Sequence, residues 1–140
     1  MALVVPNDGE VSLLQKMLNQ NQTNTLLLKL FSNNYTPSYA STLGELVEVT
    51  TTGYTNATVT NSNWTVSTPS ATDYAQAGYP ELSFTFSASS AQSLVYGYYV
   101  TDTNAPSNLL WLERFTNAPF TVPAAGGNIG IILTINLENV

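Results

Sequence analysis

The sequence predicts a mainly β fold, an antiparallel β-sandwich of jelly-roll type with one short N-terminal α-helix. Two observations carry this. One amphipathic helical pattern stands near the start, and after Gln22 the chain turns to short runs rich in Thr, Val, Tyr and Phe, separated by Pro, Gly and Asn. Roughly seven to nine such runs at a spacing of about 8 to 12 residues argue for a sandwich or barrel, with an immunoglobulin-like sandwich as the second choice. At 140 residues the chain fits one domain, with 1–22 an arm and helix and 23–140 the sandwich.

In "PNDGEVSLLQKMLNQNQ", Val11, Leu14 and Leu18 lie on one stripe, and Leu13 and Met17 widen it. Asn7 or Asp8 can cap the start, and Glu10 suits the positive end of the helix dipole. "TNTLLLKLFS" predicts a largely buried strand, with the stem of Lys29 reaching an edge. "NNYTPSYASTLG" predicts a long loop broken by Pro37 and Gly44. "LVEVTTTGY" and "YTNATVTN" alternate, with Gly53 as a turn or bulge between them. In "NWTVSTP", Trp64 and Val66 share a face. Residues 67 to 81 predict a long exposed loop.

"ELSFTFSAS" places Leu82, Phe84 and Phe86 inward and Glu81, Ser83, Thr85 and Ser87 outward, a strict period of two. "SLVYGYYVTD" predicts one strand with Leu94, Tyr96, Tyr98 and Val100 on one face and Val95, Gly97 and Tyr99 on the other. "NLLWLERF" returns as its hairpin partner, with Arg114 on the face of Leu110 and Leu112. "AAGGNIG" is a turn into a last strand in which Ile129, Ile131, Leu133, Ile135 and Leu137 alternate with smaller or polar residues.

Composition excludes several kinds of chemistry. There is no cysteine and no histidine, so disulfides, thiolate nucleophiles and the commonest general base are missing. Three basic against nine acidic residues, a net charge of −6, leave too little positive charge to neutralise a run of phosphates, so nucleic acid is not an expected partner. No apolar run reaches the roughly 20 residues that span a bilayer. The start has no basic n-region, and we expect no membrane partner and a soluble, non-secreted product of the cytoplasm. Charged residues make up 9% of the chain, far below the usual share of about 25%, so neutral Thr, Ser and Asn must cover much of the exterior. That composition also accounts for the N-x-[ST] sequons at Asn21, Asn34, Asn56 and Asn63.

Among the remaining reactive groups are carboxylates, of which Glu45, Glu48, Asp73, Glu81, Asp102 and Glu113 supply candidates. No spacing selects two of them as a glycosidase pair. Asp102, in "TDTNAPSN", lacks an EF-hand pattern and suits a strand-to-turn junction, where its carboxylate accepts a backbone N–H two residues on. We therefore expect no cofactor, no metal and no catalytic residue. Tyr54, Tyr96 and Tyr98 fit sheet packing or a subunit interface better than sugar stacking.

The ordered set "MALVVPNDGE", "LKLFSNNYTPSY", "STLGELVEVTTTGY", "NWTVSTPS", "LVYGYYVTDTNAPSNLLWLERF" and "ILTINL" resembles a group of small tailed-bacteriophage proteins assigned to the virion. The resemblance covers nearly the whole chain and its motifs are structural. It implies a virion protein on the capsid exterior, a head decoration or cement protein whose partner is the major capsid protein, with a homotrimer matching local threefold positions of the shell. A carbohydrate- or receptor-binding module of the tail is the alternative. The expected interface residues are Leu3, Val4 and Val5 of the arm, Tyr74 and Tyr79 of the 67–81 loop, Tyr96, Tyr98 and Arg114.

Overall fold

A computed structural model of the chain describes residues 3–9, 13, 25–67, 75–89 and 91–137. Asn7–Gly9 and Leu13 are helical, and Leu13 packs against the main core, as its place on the apolar stripe predicts. The rest of that stripe lies outside the described residues. Asn7 and Asp8 sit within the first helical turn rather than ahead of it.

The fold is mainly β, and every strand pairing is antiparallel. Eleven strands are described. Strands β1 (Leu26–Phe31), β2 (Ala57–Val59), β7 (Gly97–Asp102) and β8 (Leu109–Arg114) form one sheet in the order β2-β1-β7-β8. Strands β3 (Thr65–Ser67), β4 (Ala75–Gly78) and β11 (Thr134–Leu137) form another, and β5 (Leu82–Phe86) pairs with β10 (Gly127–Ile131). The Tyr79 N–H donates to Leu133 O at 2.9 Å, joining β4–β5 and β10–β11 into one long bent ribbon. Strands β6 (Ser93–Val95) and β9 (Phe120–Val122) pair beyond the end of the β7–β8 hairpin. This arrangement is compatible with a jelly-roll sandwich.

The main core draws on all of these sheets: Leu28 and Leu30 from β1, Val59 from β2, Phe84 and Phe86 from β5, Val100 from β7, Ile129 and Ile131 from β10. Its alternation in β5 and β10 is the one the sequence predicts, with Leu82 half-buried, Phe84 and Phe86 buried, and Ser83 and Thr85 exposed. A second cluster, Phe31, Leu46, Tyr99, Leu109 and Leu112, occupies the other face of the β1–β7–β8 sheet. Val4, Tyr35, Leu43 and Tyr96 close it over. Every residue of β7 is consequently buried, as expected of a strand covered on both faces.

Several expectations need correction, among them the single C-terminal strand, which is two: β10 pairs with β5 and β11 with β4. "SLVYGYYVTD" is two strands, not one. The break falls at Tyr96, whose N–H donates to Phe31 O and whose carbonyl accepts from Phe115 N–H, both at 2.9 Å. This extra residue shifts the side-chain alternation, so Tyr96 joins Tyr99 on the outer face while Tyr98 and Val100 point into the main core. A register shift between Val100 and Thr101 does the same to β8, sending Leu110 into the main core and Leu112 into the second cluster. "LVEVTTTGY" forms no regular strand. Glu48 makes a single bridge to Phe31, flanked by the Ser32 N–H to Val47 O bond at 2.8 Å and the Val49 N–H to Leu30 O bond at 3.0 Å. Residues 67 to 81 are not one loop, since β4 and the buried Tyr79 lie within them.

Trp64 precedes β3 and packs on Tyr79 edge to face at 5.1 Å between ring centroids, whereas Val66, in the strand, is exposed. Two glycines fulfil their predicted turn roles: Gly53 at φ 85° and Gly126 at φ 88° occupy the left-handed region that only glycine enters freely.

Gly97 marks the tightest approach in the fold. A Cβ there would collide with the Glu113 carbonyl oxygen across the hairpin and lie 2.6 Å from the Phe31 ring. We predict that Gly97→Ala lowers unfolding free energy by roughly 2 to 4 kcal/mol, because backbone cannot yield as a side-chain tip can. Leu30→Ala should cost roughly 2 to 5 kcal/mol and Ile132→Ala, at an exposed site, less than about 0.5 kcal/mol. Urea unfolding midpoints at constant m-value test the series.

Candidate functional site

Each expected contact residue has a definite place. Leu3 and Val5 are half-buried against the main core, and Val4 bridges to Leu112 with reciprocal backbone hydrogen bonds of 3.0 Å. The arm is thus a docked edge of its own domain. Tyr74 lies outside the described residues. Tyr79 and Tyr98, each 5% exposed, turn inward and have no face free for a partner. That is a correction, and it follows from the packing of Tyr79 against Trp64 and from the register at the Tyr96 break. Tyr96 and Arg114 remain half-buried at the surface. The guanidinium lies 5.1 Å from the Tyr96 ring centroid and donates to Tyr35 O at 3.0 Å. Stacking and tether together hold this lone arginine in one orientation.

Of the six candidate carboxylates, Glu45, Glu48, Asp102 and Glu113 are tied into the fold, Glu81 lies over Gly130, and Asp73 is outside the described residues. Asp102 is fully buried at the end of β7. It accepts the Asn104 N–H at 3.3 Å, as its turn position predicts, and also the Asn108 N–H and the Asn104 and Asn108 side-chain amides, each at 2.8 Å. One buried side chain thereby organises the β7–β8 connection. Glu45 reaches back to the Thr42 N–H at 2.7 Å and receives the Tyr35 hydroxyl at 3.0 Å. These bonds, the one to Thr42 N–H foremost, hold its carboxyl below the usual range.

Glu48 pairs with Lys29 at 3.2 Å and accepts the Tyr54 hydroxyl at 3.1 Å. The Tyr54 oxygen in turn accepts the Leu30 N–H at 3.0 Å, so this one group links the loop, β1 and the core. Lys29 lies on β1, an inner strand of its sheet, so its ammonium ends at Glu48 and not at a sheet edge as its sequence context suggests. Tyr98 donates to Glu113 at 2.7 Å across the hairpin. Burial, reinforced by neighbouring carboxylates, pushes the Tyr54, Tyr98 and Tyr99 hydroxyls well above the ordinary tyrosine value.

A feature that sequence reasoning missed is a cleft of about 260 Å³ between the start of the helix and the loop after β1, lined by Asn7, Asp8, Tyr39, Ala40, Ser41 and Thr42. The Asn7 N–H donates to Tyr39 O at 3.1 Å, tying the two walls together. The Ser41 hydroxyl is buried, accepting the Ser38 N–H at 2.9 Å and bonding the Tyr35 hydroxyl at 2.8 Å. Tyr39 is 71% exposed. No local signal marks this site, because its walls are some thirty positions apart.

Among the described residues no group of three or more His, Cys, Asp or Glu could hold a metal ion, and no helix is long and apolar enough to cross a membrane. No family model, curated protein or solved structure matches the chain.

Two outcomes test the electrostatics. Asp102→Ala should destabilise by about 3 kcal/mol, since it strands buried donors that the carboxylate had satisfied, measured by chemical denaturation. Tyrosines in the unfolded chain ionise near pH 10, whereas folded Tyr98 keeps its proton to higher pH. The stability this confers is complete below about pH 10 and declines as pH rises further, with a slope of at most about 1.4 kcal/mol per pH unit. Tyr98→Phe should flatten that alkaline decline in a pH series of unfolding curves.

Proposed function

We propose that the protein is a structural component of a tailed-bacteriophage virion, a head decoration protein that binds the assembled capsid as a trimer and stabilises it through contacts with the major capsid protein. The observation that carries the reading is how the reactive groups are spent. Asp102, Glu45, Glu48 and Glu113 each hold a turn, a loop or a strand pair in place, so the domain's polar chemistry builds rigidity. The sequence resemblance supports the same role.

The exterior supports it as well. Val47, Phe120 and Ile132 are large apolar side chains exposed on a charge-poor surface, and the stacked Arg114 has the form of an interface anchor. Binding only to the assembled shell stabilises that shell by mass action and needs stiff surfaces rather than a moving active site. The competing tail-module reading is expected to rest on Tyr98, whose ring is buried and takes no part in any exposed aromatic surface.

Adding the purified protein to capsids that lack it should give saturable binding at hundreds of copies per particle and raise the temperature at which the capsids rupture. Arg114→Gln should weaken that binding about tenfold or more without changing the circular dichroism spectrum. A virion map that places a few tens of copies at most on the tail, or capsids whose heat resistance is unchanged, would reject the assignment.

A further inference from the structure

We propose that the cleft between Asp8 and Tyr39 is a binding site for a neutral pyranose sugar. A hexopyranoside presents an apolar C–H face and a rim of hydroxyls, and a site for it needs an accessible aromatic ring beside groups that accept and donate hydrogen bonds. The cleft has both. Tyr39 leaves most of its ring open to solvent, although a tyrosine in a packed domain gains most by burying that surface. Asp8 supplies a carboxylate acceptor and Asn7 an amide that donates and accepts, while the Thr42 hydroxyl, whose proton goes to Glu45 at 3.1 Å, can only accept.

The site is pre-organised. The backbone bond from Asn7 to Tyr39 fixes the separation of its walls. Beneath them, Ser41 is locked by the Ser38 N–H and the Tyr35 hydroxyl, and Tyr35 is itself held by Glu45. The backbone of the walls is thus set before binding, and only the exposed side chains of Asn7, Asp8 and Tyr39 have to settle on the ligand. A cleft of about 260 Å³ suits one sugar ring, smaller than the usual drug-sized pocket of about 300 to 1,000 Å³.

Charge sets the selectivity. Asp8 faces the ligand and the chain carries a net charge of −6, so acidic sugars meet repulsion while neutral hydroxyls gain charge-assisted hydrogen bonds. The site depends on neither the head nor the tail location of the protein, and it is tested on the purified chain without capsids.

Saturation-transfer NMR with methyl glucoside, galactoside and mannoside, followed by titration calorimetry, provides the test. At least one glycoside should bind in the millimolar range, with affinity reduced tenfold or more by Tyr39→Ala and several-fold by Asp8→Asn. Both side chains are exposed, so the thermal unfolding of the two variants should match that of the parent. Tyr39→Phe, which keeps the ring, should retain most of the affinity. The absence of transfer from all three glycosides, transfer that persists unchanged in Tyr39→Ala, or tighter binding of glucuronate than of methyl glucoside would each overturn the proposal.

Discussion

The burial of β7 on both faces is the constraint on which the rest of the structure depends. A strand with one wet face needs a single layer of cover, but here Tyr98 and Val100 enter the main core while Tyr99 enters a second one. Among the described residues no sheet closes that second cluster. The docked arm at Val4, the loop residues Tyr35 and Leu43, and Tyr96 close it instead. The long loop after β1 is therefore structural cover, which explains why it is tied down at several points: Asn33 bonds both the Val47 N–H and the Glu45 carbonyl at 2.9 Å, and Glu45 bonds Thr42 and Tyr35.

The same cover creates the surface features. Arg114 stacks on Tyr96 because the chain breaks there, and its tether to the Tyr35 carbonyl exists because the loop crosses over the sheet. The cleft at Tyr39 arises where the loop meets the start of the helix, a junction fixed by the Asn7 N–H. On its other side the helix start is seated on β8, since a Cβ on Gly9 would collide with the Leu110 carbonyl. Structural necessity and candidate function thus share one set of elements. A rigid scaffold that carries its variable contacts on tied-down loops is a common solution in β proteins.

Polar groups in the interior follow one logic. Asp102 is tolerated at zero exposure because backbone and amide donors converge on it. The tyrosine hydroxyls of residues 54, 79 and 98 each find a partner at the rim of the core, so their rings fill the interior while their oxygens stitch strands and loops together. In a chain with so few charges, these bonds take over the cross-linking that ion pairs provide elsewhere.

Much of the fold was legible because it rests on local periodicity. The alternation of Leu82, Phe84 and Phe86, the apolar run of β1, the turns at Gly53 and Gly126, and the N–H acceptance by Asp102 two residues on are all dictated by backbone geometry over a few residues. The errors share a different origin. One extra residue at Tyr96 and another in β8 reversed the facing of Tyr96, Leu110 and their neighbours, because a period of two cannot survive an insertion. The exposure of Tyr39 and its meeting with Asp8 were invisible for a related reason. The sequence by itself determined the mainly β class, the strictly alternating strand of Leu82–Phe86 and which side-chain chemistry is missing; the tertiary structure decided where strands break and which face each tyrosine takes, because both depend on bulges and on distant segments that cover a sheet.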